Sequence, residues 1–65
     1  MSSPMYIVDG RQDGKIRESH SANNRAIAEI MLEAYGVKYG SALISKLARI
    51  EHGVAVYEPM KEYKP

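Results

Sequence analysis

Residues 26–35 read AIAEIMLEAY, and the spacing of these side chains decides how the chain is interpreted. Placed on a helix, only Glu29 and Glu33 interrupt the apolar surface, with Arg25 just before them on the same narrow stripe. A helix that is apolar around nearly its whole circumference is expected to be buried on most sides. The rest of a 65-residue chain offers little cover. The segment therefore predicts an association surface, toward a second copy or another protein.

The small size of the chain favours the same interpretation. A domain of 65 residues buries only roughly 60% of the surface that its unfolded chain exposes. Small domains often compensate with disulfides, metals or oligomerisation. The sequence has no cysteine, which excludes disulfides and cysteine-based zinc sites. Local packing and oligomerisation remain, and we expect a homodimer.

Composition and charge narrow the class of protein. The hydrophobic fraction of 45% is ordinary for a folded domain. The net charge of +1 lacks the basic excess of a typical nucleic-acid binder. The first residues do not form a signal peptide, and no apolar run approaches the about 20 residues that span a membrane. We predict a cytoplasmic protein that does not contact membranes.

Strand and turn patterns precede the helical segment. Residues 5–8 (MYIV) are β-branched and aromatic and predict a strand. Asp-Gly pairs at 9–10 and 13–14 predict turns, because glycine supplies the positive φ that such turns require. Residues 15–18 (KIRE) predict a returning strand. Together they predict a β-hairpin.

The first helix has candidate signals at both ends. A polar linker over residues 19–24 (SHSANN) precedes it. Three residues of this linker have side-chain oxygens suited to an N-cap: Ser21, Asn23 and Asn24. We expect the helix to run to about Tyr35, with Gly36 as the left-handed residue that ends it.

A second helix is predicted over residues 42–52. Ser41 provides an N-cap and Gly53 a stop. One apolar stripe at helical spacing contains Leu43, Ile44, Leu47 and Ile50. Residues 54–58 (VAVYE) then predict a third strand, which Pro59 ends.

These elements predict a single small α+β domain. Their order is β-β-α-α-β, with a short antiparallel sheet and a helical hairpin packed on one face. The domain covers residues 1–65, with frayed tails at 1–4 and 60–65.

The predicted interface lies on one flank of the first helix. If Ile27, Ile30, Met31 and Ala34 face the core, the flank left for a partner carries Ala28, Leu32 and Tyr35. Tyr39 lies just beyond, in the predicted connection between the helices. Because tyrosine is enriched at protein interfaces, we add Tyr39 to the candidate surface.

The sequence contains no pattern typical of an enzyme or a cofactor site. His20 and His52 lack ligand-spaced partners for a metal. The adjacent Ser19 and His20 lie outside any nucleophile-elbow pattern. Glycine-rich phosphate loops are absent. We therefore predict no catalytic residues, no metal, no cofactor and no small-molecule substrate.

The segment from Ala28 to Ile50 resembles the helix-turn-helix of phage-type repressors, with matches at residues 36–37 (GV) and 44–45 (IS). The resemblance implies a DNA-binding regulator whose major-groove residues are Ser41, Ala42, Ser45, Lys46 and Arg49. The preferred interpretation is different, because a net charge of +1 supplies little of the phosphate attraction. It is a non-enzymatic regulator or inhibitor, of the type encoded by phages and mobile elements, that occludes or scaffolds another protein.

Overall fold

The structure is a computed structural model that describes residues 3–65. These residues form β1 (Tyr6–Gln12), β2 (Lys15–Ala22), α1 (Arg25–Tyr39), β3 (Ser41–Glu51) and β4 (Val54–Glu62). The strands make one antiparallel sheet in the order β2-β1-β3-β4, and α1 packs on one face of it. The predicted α+β class is confirmed. The predicted β-β-α-α-β order and helical hairpin are wrong, since the order is ββαββ.

The first hairpin turns at only one of the two Asp-Gly pairs. Asp13 and Gly14 both have positive φ, 55° and 75°, as a two-residue hairpin loop requires. The other pair lies within β1, because that strand continues through Gly10. A Cβ on Gly10 would come within 2.7 Å of the Tyr39 ring. Gly10 therefore marks a close approach of the helix to the sheet.

Helix α1 begins as predicted and ends later than predicted. The Oδ1 of Asn24 accepts hydrogen bonds from the backbone N–H groups of Ala26 (2.8 Å) and Ile27 (3.3 Å), which confirms Asn24 as the N-cap. The expected stop at Gly36 is wrong, since the left-handed residue is Gly40, with φ of 92°. Gly36 lies inside the helix, where a Cβ would overlap the ring of Tyr63.

Residues 42–52 form most of β3 and the start of its turn, so the predicted second helix is wrong. Six residues of β1 pair with β3, from Tyr6 opposite Lys46 to Arg11 opposite Ser41. A bulge between Leu47 and Arg49 interrupts the regular alternation of β3 side chains between the two faces of the sheet. The apolar residues of β3 therefore do not recur at every second position, and their spacing resembles the apolar stripe of a helix.

The core lies between α1 and the sheet. Its buried members are Tyr6, Val8, Ala22, Ala28, Leu32, Tyr35, Ala42 and Ile44. Val8 and Ile44 are the largest of them that are fully enclosed. Both lie at the centre of the sheet and face each other across the β1–β3 pair.

The C-terminal residues belong to this framework. Residues 60–62, assigned to a tail by the sequence, lie in β4, and the backbone N–H of Tyr63 donates to Ala42 (2.9 Å). The predicted fraying at residues 1–2 lies outside the described part of the chain. Within residues 3–65, no helix has the length and apolar character needed to cross a membrane.

Candidate interaction surface

The outer side of α1 carries a continuous apolar stripe. Ile27, Ile30 and Val37 are 50%, 67% and 72% exposed, and Ala34 is exposed between them. We call these four residues the outer stripe. They are three, four and three residues apart, which is the spacing of a seam along which a second helix packs.

Charged pairs border the outer stripe on both flanks of the helix. On the side toward β4, Glu29 accepts from Lys61 (2.5 Å) and lies 3.5 Å from Arg25. The hydrogen bond from Lys61 holds the pKa of Glu29 below its ordinary value of 4.5. On the side toward β2, Lys38 donates to Glu18 (2.9 Å). The stripe is therefore an apolar strip between two ion-paired margins.

A second cluster ties the end of α1 to β2. The hydroxyl of Tyr39 donates to the Glu18 carboxylate (2.6 Å), and Lys38 donates to the same oxygen. The hydrogen bond from Tyr39 and then that from Lys38 hold the pKa of Glu18 below its ordinary value. Burial, and then the nearby Glu18, raise the pKa of Tyr35. Because the Glu18 carboxylate accepts hydrogen bonds from two residues of α1, this cluster links the end of the helix to β2.

The predicted interface residues lie on the inward side of α1. Ala28, Leu32 and Tyr35 are in the core, and Tyr39 is partly buried against it. Of the four residues expected to face the core, Met31 packs against it, whereas Ile27, Ile30 and Ala34 are exposed. The expected orientation of the helix is therefore wrong.

The physical reason for this orientation is the shape of the sheet. Gly10 leaves a recess at β1, and the side chains of Tyr35 and Tyr39 occupy it, as the short distances to a Cβ built on Gly10 indicate. Ala28 and Gly36 are small and let the helix approach its neighbours closely. These side chains cannot turn outward without emptying the core, so the apolar side chains that α1 leaves exposed are those of the outer stripe.

The residues assigned to DNA do not come together on one surface. All lie on β3, and the helix-turn-helix that the resemblance implied is not formed. Ser41 and Ser45 pair with residues of β1 on the sheet face opposite α1, whereas Lys46 pairs with Tyr6 on the other face. Arg49 lies beyond the bulge and pairs with Glu51 (2.8 Å).

Other candidate sites are weaker. In the described part of the chain, no three His, Asp or Glu side chains are placed to hold a metal ion. An open groove of about 640 Å³ runs between α1 and the C-terminal residues, with Glu29, Glu33, Lys61 and Tyr63 in its lining. Its charges are of both signs, and Glu29 and Lys61 of the lining are already paired with each other.

Comparison of the chain with known protein families, with curated proteins and with solved structures finds no match in any of the three. The function is therefore argued from the surface of this fold, on which the outer stripe is the most distinctive feature.

Proposed function

We propose that this chain is a non-enzymatic protein-binding regulator whose outer stripe contacts a partner protein, which it occludes or scaffolds. The observation that supports the proposal is the exposure of three large apolar side chains along one helix face, at seam spacing. A helix on the surface of a monomer ordinarily carries polar residues there.

The geometry of the stripe favours an amphipathic helix as the partner element. Ala34 lies at the centre of the stripe, between Ile30 and Val37, and its small side chain lets a second helix approach. Glu33 is exposed beside the stripe and suits a basic residue at the margin of the partner helix.

The energy available from the stripe is moderate. Burying the exposed part of each large residue contributes about 1–2 kcal/mol. Association also costs several kcal/mol in lost translational and rotational freedom, roughly 4–15 kcal/mol in current estimates. Micromolar binding needs about −8 kcal/mol net, more than the stripe alone supplies, so we expect the partner to contact further residues of this protein as well.

A paired substitution tests the proposal. Ile30→Glu places a charge on the stripe, while Ile16→Glu makes the same change at an isoleucine on β2 that is 56% exposed. Both variants should fold, because neither side chain is in the core. Immobilised wild-type protein and Ile16→Glu should retain the same protein from a lysate of the source cells, and Ile30→Glu should retain at least tenfold less.

Circular dichroism of both variants provides the control for folding. Equal retention by wild type and Ile30→Glu would refute a role for the stripe. So would the absence of any retained protein that distinguishes the two isoleucine variants.

A further inference from the structure

The two edge strands of the sheet each have a charged half and an uncharged half. The charges of β2 lie in its first half, at Lys15, Arg17 and Glu18. Those of β4 lie in its second half, at Glu58, Lys61 and Glu62, whereas residues 54–57 (VAVY) carry no charge. Exposed, uncharged edges of β-branched residues are templates for pairing with another strand. Val54 is 64% exposed, residues 55–57 are partly exposed, and β4 is the outermost strand on this side of the sheet.

The geometry of the hairpin turn determines which backbone groups of β4 face away from β3. His52 and Gly53 have φ of 50° and 78°, which makes a two-residue loop. The flanking pair, Glu51 and Val54, then exchanges two backbone hydrogen bonds. From Val54 onward, the backbone N–H and C=O groups of successive β4 residues point alternately toward β3 and away from it. By this alternation Val56 faces β3, whereas Ala55 and Tyr57 direct N–H and C=O groups outward.

Two observations agree with this alternation. The N–H of Leu47, the residue opposite Tyr57, donates to Met5 on the β1 side (2.8 Å) and so does not bond to β4. Pro59 occupies the next outward position, where its missing N–H breaks no pairing within the sheet. The outward ladder of β4 therefore consists of Ala55 and Tyr57 and ends at Pro59.

We infer that the outer edge of β4 pairs antiparallel with β4 of a second copy, about a two-fold axis at Val56. In this register Ala55 lies opposite the partner's Tyr57, and Tyr57 opposite the partner's Ala55. Each pair exchanges two backbone hydrogen bonds, so all the outward N–H groups between the turn and Pro59 are bonded.

The same register is complementary in its side chains. A small residue, Ala55, faces a large one, the partner's Tyr57. Val56 faces the partner's Val56, so no like charges meet at the axis. Val54 lies opposite the partner's Glu58, and Pro59 lies opposite the partner's Gly53, where no N–H is required. Shifting the axis to Tyr57 would instead place Ala55 opposite the partner's Pro59 in two symmetry-related pairs, each of which would have one backbone hydrogen bond instead of two.

This assembly joins two sheets into one of eight strands. Because the two-fold axis is perpendicular to the sheet, both copies of α1 lie on the same face. The dimer therefore presents two outer stripes in the same direction. The inference goes beyond the proposed function, since it uses a different surface and holds whether or not the stripes bind a partner.

Four single variants, studied by sedimentation equilibrium up to about 1 mM protein, test the inference. Wild type should reach twice the 7.3 kDa monomer mass. Ala55→Pro removes an outward N–H that has no role within the chain, and should raise the dissociation constant at least tenfold. Val56→Lys brings two lysines together at the axis and should do the same.

Two further variants are the matched controls. Val54→Lys places its charge opposite the partner's Glu58, so the dimer should persist or tighten in low salt. Ile30→Glu lies on α1 and should leave the dimer unchanged.

Each contrary outcome overturns the inference. A monomeric wild type at about 1 mM excludes the dimer. Loss of the dimer in Ile30→Glu assigns self-association to the helix instead. An unchanged dimer in a folded Ala55→Pro excludes the edge, even if Val56→Lys fails to fold.

Discussion

Replacing Gly36 with alanine should destabilise this protein, although the substitution ordinarily favours a helix. Alanine is preferred to glycine in a helix interior by about 1 kcal/mol. Gly36 lies within α1 with the ring of Tyr63 directly against it, and an added Cβ would overlap the ring. Overpacking costs about 1–3 kcal/mol. The expected net effect is a loss of about 1 kcal/mol in the free energy of unfolding.

The double variant reverses the sign. In a Tyr63→Ala background the ring is gone, and Gly36→Ala should then stabilise the protein by about 1 kcal/mol, the intrinsic helix preference. The coupling between the two positions should therefore be about 2 kcal/mol, a large value that is typical of residues in contact.

Urea unfolding followed by far-ultraviolet circular dichroism measures all four members of the cycle. The slope of the transition should stay the same, so that the midpoints report stability. If Gly36→Ala stabilises the wild-type background as much as the Tyr63→Ala background, the ring does not pack on Gly36 and the reasoning fails.

Three further outcomes are expected. Asn24→Ala should lower the free energy of unfolding by about 1 kcal/mol in a urea titration while Asn24→Asp has little effect, because only the alanine loses the side-chain oxygen that caps α1; equal losses would contradict the cap. Because Tyr39 holds the pKa of Glu18 below its ordinary 4.5, the stability that Glu18 contributes should be present above about pH 4.5 and disappear as the pH falls through the lowered pKa. Carbon NMR titration should find the pKa of Glu18 raised in Tyr39→Phe, and an unchanged pKa would exclude this hydrogen bond as the cause of the shift. Ile44→Ala should cost about 2–5 kcal/mol in the same urea assay, since Ile44 is fully enclosed; a loss below about 1 kcal/mol would mean that the site is not the core.

Local chemistry made part of the fold predictable. Asn24 caps the helix because its short side chain reaches two free N–H groups, and the sequence identified it as a candidate. Asp13-Gly14 turns because both residues adopt positive φ. These features depend on a few neighbouring residues, and such features can be inferred from one sequence.

The identity of β3 depends on distant residues and could not be inferred in this way. Its apolar residues fit a helical stripe as well as a bulged strand. What decides between them is pairing with β1, which lies about thirty residues earlier in the chain. A helix-turn-helix requires a helix over residues 42–52, so the strand found there removes the basis of that resemblance as well.

The sequence predicts exposed apolar residues on the helix, and the structure has them, but on the opposite side from the predicted one. A helix apolar on nearly every side does leave apolar residues exposed, as the outer stripe is. Which side turns inward depends on Gly10 and on Tyr63, which packs on Gly36. Nothing in the helical segment alone encodes those contacts. The sequence does contain glycines, Gly10 and Gly36, together with tyrosines, and contacts between such residues are typical of a helix packed closely on a sheet.

Site-specific photo-crosslinking tests most directly whether the outer stripe contacts a partner protein. A photoreactive residue at position 30, in a lysate of the source cells, should form a crosslink to another protein at high yield. The same residue at position 16 on β2, where the native isoleucine is 56% exposed against 67% at position 30, should not. Crosslinks of equal yield from both positions, crosslinks from position 30 only to a second copy of this chain, or none from position 30, would contradict the account.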